Sequence, residues 1–153
     1  NNFFSLNPIE YGIKGRKIFV DLDTVITGNI DDILSFDKPF GITRTDLFKC
    51  ERENKEGYNS SLLLWNGDDF EPIYLELKKN FKVITKFIVR FDFWLEMMVR
   101  NPYYIQDYCP DQIVDYMNHC QPNLPENARI VCFPRYPKPH EAEHELIKKY
   151  WVE

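Results

Sequence analysis

Glycine is scarce in this chain: there are six in 153 residues, about 4% where about 7% is usual. No two of them form G-x-G, so both the dinucleotide fingerprint and the P-loop are missing, and a glycine-rich backbone cradle for phosphate is excluded. Positive charge is also short, with 19 Lys+Arg against 24 Asp+Glu and a net charge of −5. A chain of that sign has no global positive field to hold a phosphodiester backbone, so no nucleic-acid partner is expected. The four cysteines, Cys50, Cys109, Cys120 and Cys132, contain no C-x-x-C pair. That spacing argues against a structural zinc site or a dense disulfide framework and fits reduced thiols in a cytoplasmic protein. No apolar run approaches the ~18 residues that span a bilayer, so no transmembrane segment is expected. The chain opens Asn1-Asn2-Phe3-Phe4, without a methionine or a charged-then-apolar signal segment, and this start reads as a cut end. Hydrophobic side chains are plentiful: 44% of residues, with 12 Phe, 9 Tyr and 3 Trp. They are enough for the core of one ordinary domain over residues 1–153.

Asn7-Pro8 and the Gly12/Gly15 pair punctuate an irregular start, after which Lys17-Ile18-Phe19-Val20 reads as a short buried strand running into Asp21-Leu22-Asp23. Residues 24–27 are β-branched and predict a second strand, residues 31–34 one helical turn, residues 40–44 a further strand and residues 45–58 a polar surface loop. Residues 60–65 have strand character and end at Asn66-Gly67, a strong turn signal. Asp68 is the expected N-cap of a helix carrying Phe70, Ile73, Tyr74 and Leu77 at helical spacing. Residues 81–100 are apolar on more than one face and lack Gly and Pro, which predicts a well-buried helix, or else a helix joined to a strand. The spacing of Ile113, Val114 and Met117 predicts a helix over 111–120; residues 128–133 read as a strand, the Pro134/Pro137/Pro139 segment as stiff and extended, and residues 141–151 as a terminal helix. The alternation of strands and helices makes the class α/β.

The sharpest chemical signal is Asp21-Leu22-Asp23. A buried strand that delivers two carboxylates at its carboxyl end puts them on a rim of the kind where open α/β sheets bind ligands. Two hard oxygen donors and few other protein groups suit Mg²⁺ or Mn²⁺ holding a substrate diphosphate. The octet beginning at Phe19 also fits a haloacid-dehalogenase-type phosphatase, with Asp21 as nucleophile and Asp23 as acid and base. Leu62-Leu63-Leu64-Trp65-Asn66-Gly67-Asp68-Asp69 imitates that family's later acidic motif, but the interval is short and no Lys-bearing middle motif stands in it. His140-Glu141-Ala142-Glu143-His144 satisfies H-E-x-x-H. Pro137 and Pro139 occupy the turns that should precede it and Glu143 stands where apolar packing is needed, so it reads as a coincidence on a solvated terminal helix. Asn59-Ser60-Ser61 matches a glycosylation sequon, and at the start of a buried strand it fits equally an amide that bonds sugar hydroxyls or an Asx-type turn.

Residues 19–33, with an apolar strand, D-x-D, a few apolar residues, Gly28 and the acidic turn Asp31-Asp32, resemble the metal-binding segment of nucleotide-sugar glycosyltransferases of the glycogenin and lipopolysaccharide galactosyltransferase type. Three later segments follow in that family's order: Asn59-Ser60-Ser61-Leu62-Leu63-Leu64 is similar to its N-S-G strand, Asp111-Gln112 to its D-Q motif, and residues 125–139 to its closing strand and Lys-Pro turn. The resemblance implies a GT-A-type, Rossmann-like mixed sheet flanked by helices. It also implies a metal-dependent transfer of a sugar from a nucleoside-diphosphate donor, such as a UDP-sugar, to a glycan, lipid or protein acceptor. On that basis Asp21 and Asp23 would hold Mn²⁺ or Mg²⁺, with His140 or Cys132 as a further ligand. Asn59, Ser60, Asp111 and Gln112 would line the donor-sugar and acceptor side, Asp111 and Gln112 as the catalytic pair, and Lys138 would sit on the diphosphate. Two departures stand out. Cys132 occupies the place of the family's metal-binding His, and only 20 residues precede Asp21, where family members carry a nucleotide-binding strand-helix unit. The chain therefore reads as truncated at its amino end, and a non-enzymatic sugar-binding or interaction module is the third reading.

Overall fold

The structure is a computed structural model describing residues 12–44, 57–67 and 70–151. The expected irregular start at Asn7-Pro8, most of the 45–58 loop, and the Asp68 N-cap lie outside the described residues. Among the described residues there are seven strands: β1 (Lys17–Val20), β2 (Thr24–Ile26), β3 (Phe40–Arg44), β4 (Tyr58–Trp65), β5 (Tyr103–Tyr104), β6 (Ile113–Asp115) and β7 (Ile130–Cys132). The helices are α1 (Asp31–Leu34), α2 (Glu71–Phe87), α3 (Phe91–Met98), α4 (Ile105–Tyr108), α5 (Tyr116–His119) and α6 (Glu145–Tyr150), with a 3-10 turn at Pro139–Glu141.

The class is mixed α/β, as the alternation of elements indicates, but the strands divide between two mixed sheets. One has the order β1-β4-β3-β5 and the other β2-β7-β6. In the first, β4 is antiparallel to both β1 and β3, and β5 joins β3 in parallel. In the second, β2 runs antiparallel to β7 and β6 parallel to it. Side chains alternate along each strand, and this alternation sorts the core into layers. Leu63 and Trp65 pack with Tyr74, Leu77, Trp94 and Leu95 beneath α2 and α3. Leu62 and Leu64 face the other way, onto Ile113, Ile130 and Cys132 of the second sheet. Val25, Val114 and Val131 cover the far side of that sheet together with Tyr116, Ala142 and Ile147. The order of layers is therefore α2/α3, first sheet, second sheet, and then the segments around α5 and α6.

Two expectations fail. Residues 111–120 form β6 followed by the single turn α5, because Ile113, Val114 and Asp115 pair in register with Ile130, Val131 and Cys132. A parallel partner reached across the fold overrides the local helical spacing. Residues 81–100 are two helices rather than one buried one. α2 departs from helical backbone at Asn80 and ends at an extended Ile88, and α3 begins after an extended Arg90. Only part of this segment is buried: Phe87 is 81% exposed and Val89 79%. Among the described residues no helix is long and apolar enough to cross a membrane.

Candidate functional site

Asp21-Leu22-Asp23 is the strap between the two sheets. β1 ends at Val20, and the backbone N–H of Asp21 still donates to the Ser61 carbonyl of β4 (2.9 Å). Two residues later the Asp23 carbonyl accepts the N–H of Phe133 (2.9 Å), and Thr24 pairs with Cys132 of β7. The first carboxylate is thus anchored to one sheet and the second to the other, with Leu22, 89% exposed, at the crest. Asp21 Oδ1 accepts the N–H of Leu22 (2.9 Å).

Asp23 faces a cation. Lys138 Nζ donates to Asp23 Oδ2 at 2.5 Å and to the Phe133 carbonyl at 3.0 Å. Lys138 is held by its backbone as well, since its N–H donates to Glu141 Oε2 (2.8 Å), capping the 3-10 turn that follows. Proline at the start of that turn pre-sets its first dihedral. The Asp23–Lys138 pair lies on the wall of a cavity of about 350 Å³ lined by Leu22, Asp23, Lys138, Pro139, His140 and Trp151. An ion pair with each side chain roughly 30% exposed can exchange partners with an incoming ligand, because neither charge is sealed from water.

The structure brings Asp23, Lys138 and His140 to one cavity from positions more than a hundred residues apart, with Asp21 on the same strap. Cys132 is elsewhere. It is fully buried between the sheets, and burial, reinforced by the nearby carboxylates of Asp23, Asp115 and Asp21, pushes its thiol far up; the Thr24 side chain opposes this only in part. Of the two alternatives for a further metal ligand, His140 is the one that lines the cavity. Asp111 and Gln112 are not brought to it. They stand before the first residue of β6, whereas Asp23 lies beyond the Asp115 end, on the order of 10 Å away along three strand residues. Gln112 Nε2 donates to Asp32 Oδ2 (3.1 Å), its backbone carbonyl accepts from Arg129 and Ile130, and Asp111 turns the chain at a positive φ of 61°.

Asn59 and Ser60 are buried in β4 and serve the sheet. Ile42 pairs with Leu63 and Thr43 with Asn59, so Ser60, Ser61 and Leu62 bulge from β4 without counterparts on β3. The Asn59 side-chain oxygen accepts the N–H of Ser61 (3.0 Å), the Asx-type turn among the two sequence alternatives, and also the Thr43 hydroxyl (3.2 Å). Ser60 N–H donates to Asp92 Oδ1 (2.7 Å). The H-E-x-x-H histidines do not share a helix: His140 is in the 3-10 turn, and His144 precedes α6 with Nε2 3.1 Å from the Pro122 carbonyl.

Two residues at this end of the fold escaped the sequence reading. Trp151 supplies the cavity's aromatic wall. Asp115, fully buried, caps α5 by accepting the N–H of Asn118 at Oδ1 (2.8 Å), while Oδ2 has no hydrogen-bond partner among the described residues. Its signal was present, since Ile113-Val114-Asp115 repeats the apolar-run-then-carboxylate pattern of Phe19-Val20-Asp21.

Asp21 and Asp23 offer hard oxygen donors of the type Mg²⁺ and Mn²⁺ prefer. Among the described residues no group of three or more His, Cys, Asp or Glu side chains could hold a metal ion. A cation held by these two carboxylates would take the rest of its shell from water or ligand oxygens, a set that Mg²⁺ tolerates and a closed structural site does not use. Comparison of the chain with protein-family models, with curated proteins and with solved structures returns no match.

Proposed function

We propose that the Asp23–Lys138 cavity binds the diphosphate of a nucleoside-diphosphate sugar and that the protein transfers the sugar to an acceptor in a metal-dependent reaction on a GT-A-like fold. The observation that carries this reading is the convergence of Asp23, Lys138 and His140 on one cavity walled by Trp151. A divalent cation bound to a diphosphate presents the complement of the resting ion pair, its positive end for a carboxylate and its phosphate oxygens for an ammonium. Such a ligand can open the Asp23–Lys138 contact by exchange, leaving no charge uncompensated.

In this reading Asp23, with Asp21 beside it on the strap, holds Mn²⁺ or Mg²⁺, which supplies Lewis-acid stabilisation of the departing diphosphate. Lys138 places its ammonium on the phosphate oxygens, where it stabilises the charge that builds as the glycosidic bond breaks. The Phe133 carbonyl and the Glu141 cap hold the lysine in position for that work. Trp151 offers an apolar face to a base or sugar ring. The reading rests on this end of the second sheet and not on Asp111 and Gln112. A phosphatase using Asp21 as nucleophile has less support, because Asp23 rather than Asp21 lines the cavity.

The test is thermal unfolding with Mn²⁺ and UDP together. The wild-type melting temperature should rise and that of Asp23→Asn should not; no shift in the wild type, or an equal shift in the variant, rejects the proposal.

A further inference from the structure

The outer face of α2 and α3 carries a pattern that sugar transfer does not use. Between Leu77 and Phe91 stand Lys78, Lys79, Lys82 and Lys86 and no carboxylate, in a chain whose net charge is −5; Arg90, in the same stretch, pairs with Asp92 (2.9 Å). On either side of the break at Asn80, Leu75, Glu76 and Lys79, then Lys82, Val83, Lys86 and Phe87, are exposed, whereas Tyr74, Leu77, Phe81 and Ile84 pack on the core. The large apolar members of the outer stripe are in water: Leu75 is 50% exposed, Val83 58% and Phe87 81%. Val89 follows at the α2–α3 corner, and Phe93 and Met97 extend the same exposure along α3. Scattered apolar side chains on a surface are ordinary, but a row of them interleaved with lysines is the composition of a helix that lies in a membrane interface.

We propose that this face docks on an anionic lipid surface. The choice of partner rests on charge and shape together. Lysines at 79, 82 and 86 match headgroup phosphates and carboxylates, while Val83, Phe87 and Val89 protrude between and beyond them to reach the acyl boundary. A nucleic acid would use the lysines and leave the aliphatic Val83 and Val89 in water. None of the residues lining the Asp23–Lys138 cavity belongs to α2 or α3, so docking through these helices leaves its lining uncovered. The proposal stands independently of the sugar-transfer reading.

Co-sedimentation with phosphatidylcholine vesicles, with and without phosphatidylserine, tests it. Binding should appear only with phosphatidylserine and should weaken as salt is raised. Lys82→Glu/Lys86→Glu should weaken it at least about tenfold, and Phe87→Ser should weaken it with little change in melting temperature, because that side chain is exposed. Equal partition of the wild type and the lysine variant overturns the proposal, as does no binding to either vesicle. Concentration-dependent dimers that Phe87→Ser abolishes, without vesicle binding, would assign the face to a second copy of the chain instead. A drop of several degrees in the Phe87→Ser melting temperature would show that the side chain is covered by other parts of the protein, and would also overturn it.

Discussion

Replacing Lys138 by Met removes an ammonium while keeping the length of an apolar stem, and its consequences divide cleanly between stability and binding. The variant loses the contact to Asp23 Oδ2 (2.5 Å) and the bond to the Phe133 carbonyl (3.0 Å). Hydrogen bonds to charged groups contribute about 1.5–3 kcal/mol when enclosed, and fully exposed pairs about 1 kcal/mol or less. With the two side chains 28% and 30% exposed, the cost lies between, at about 1–2 kcal/mol. For a chain of this size each kcal/mol moves the melting temperature by about 2–4 °C, so the variant should melt about 2–8 °C below the wild type. In the binding arm, Asp23 has lost its internal competitor, so Mn²⁺ alone should stabilise the variant more than it stabilises the wild type. The additional stabilisation by UDP should disappear, because its diphosphate no longer meets the ammonium. In the wild type a ligand at a hundred times its dissociation constant contributes about 2.7 kcal/mol, a shift large enough to read in a thermal melt. An unchanged melting temperature would falsify the ion pair, and an undiminished UDP effect would remove Lys138 from the phosphate site.

Other consequences are more local. A Cβ at Gly41 would stand 2.6 Å and 2.7 Å from two ring atoms of Phe36 and 3.0 Å from Ile105 Cγ1, all in the packed interior. Gly41→Ala should therefore lower stability by about 1–3 kcal/mol in denaturant melts, and a neutral result would refute that packing. Burial raises the thiols of Cys109, Cys120 and Cys132, Cys120 to about 12; mass spectrometry after iodoacetamide at pH 8 should find Cys120 and Cys132 unmodified until denaturant is added. Tyr58, whose hydroxyl donates to the Val99 carbonyl (2.8 Å), is pushed up by burial, and by Tyr104 and Glu96, from 10.0 to about 12. The folded chain keeps that proton after the unfolded chain has begun to lose it, so stability should fall as pH rises from about 10 towards 12. Tyr58→Phe should flatten that alkaline decline, and a variant with the same pH dependence would contradict the assignment.

What could be read from the sequence and what could not follow the range of the interactions involved. Asp21-Leu22-Asp23 was placed at a strand end because a four-residue apolar run stops there, and the Asn66-Gly67 turn was readable because Gly67 takes a positive φ of 63°; both are local signals. β6 was misread as helix because its stabilising partner, β7, lies beyond a proline-rich connection and leaves no trace in the spacing of Ile113, Val114 and Met117. The division into two sheets was hidden for the same reason, since it depends on the strap at residues 21–23 switching partners from β4 to β7. At the candidate site, Asp23 and Lys138 are singled out by the order of motifs along the chain and His140 only as an alternative to Cys132; that all three line one cavity depends on contacts between positions more than a hundred residues apart, which no local pattern shows. Asn59 and Ser60 carry a sugar-side expectation from the resemblance of their strand to a family motif; in the fold the Asn59 side chain accepts from Ser61 N–H and the Ser60 N–H donates to Asp92, contacts that depend on the bulge in β4 and leave no sequence signature. The surface of α2 was misjudged because apolar content was equated with burial; Val83 and Phe87 show that interleaved lysines can keep such residues at the surface.

Calorimetric titration of UDP into the protein with Mn²⁺ present asks whether the Asp23–Lys138 cavity takes a metal-bound diphosphate, with Asp23→Asn and Lys138→Met as paired controls. The account predicts saturable binding with one site per chain in the wild type, lost without Mn²⁺ and lost in Asp23→Asn while that variant still unfolds cooperatively. Binding of equal strength in the wild type and Asp23→Asn, or no binding by the wild type at all, would contradict it.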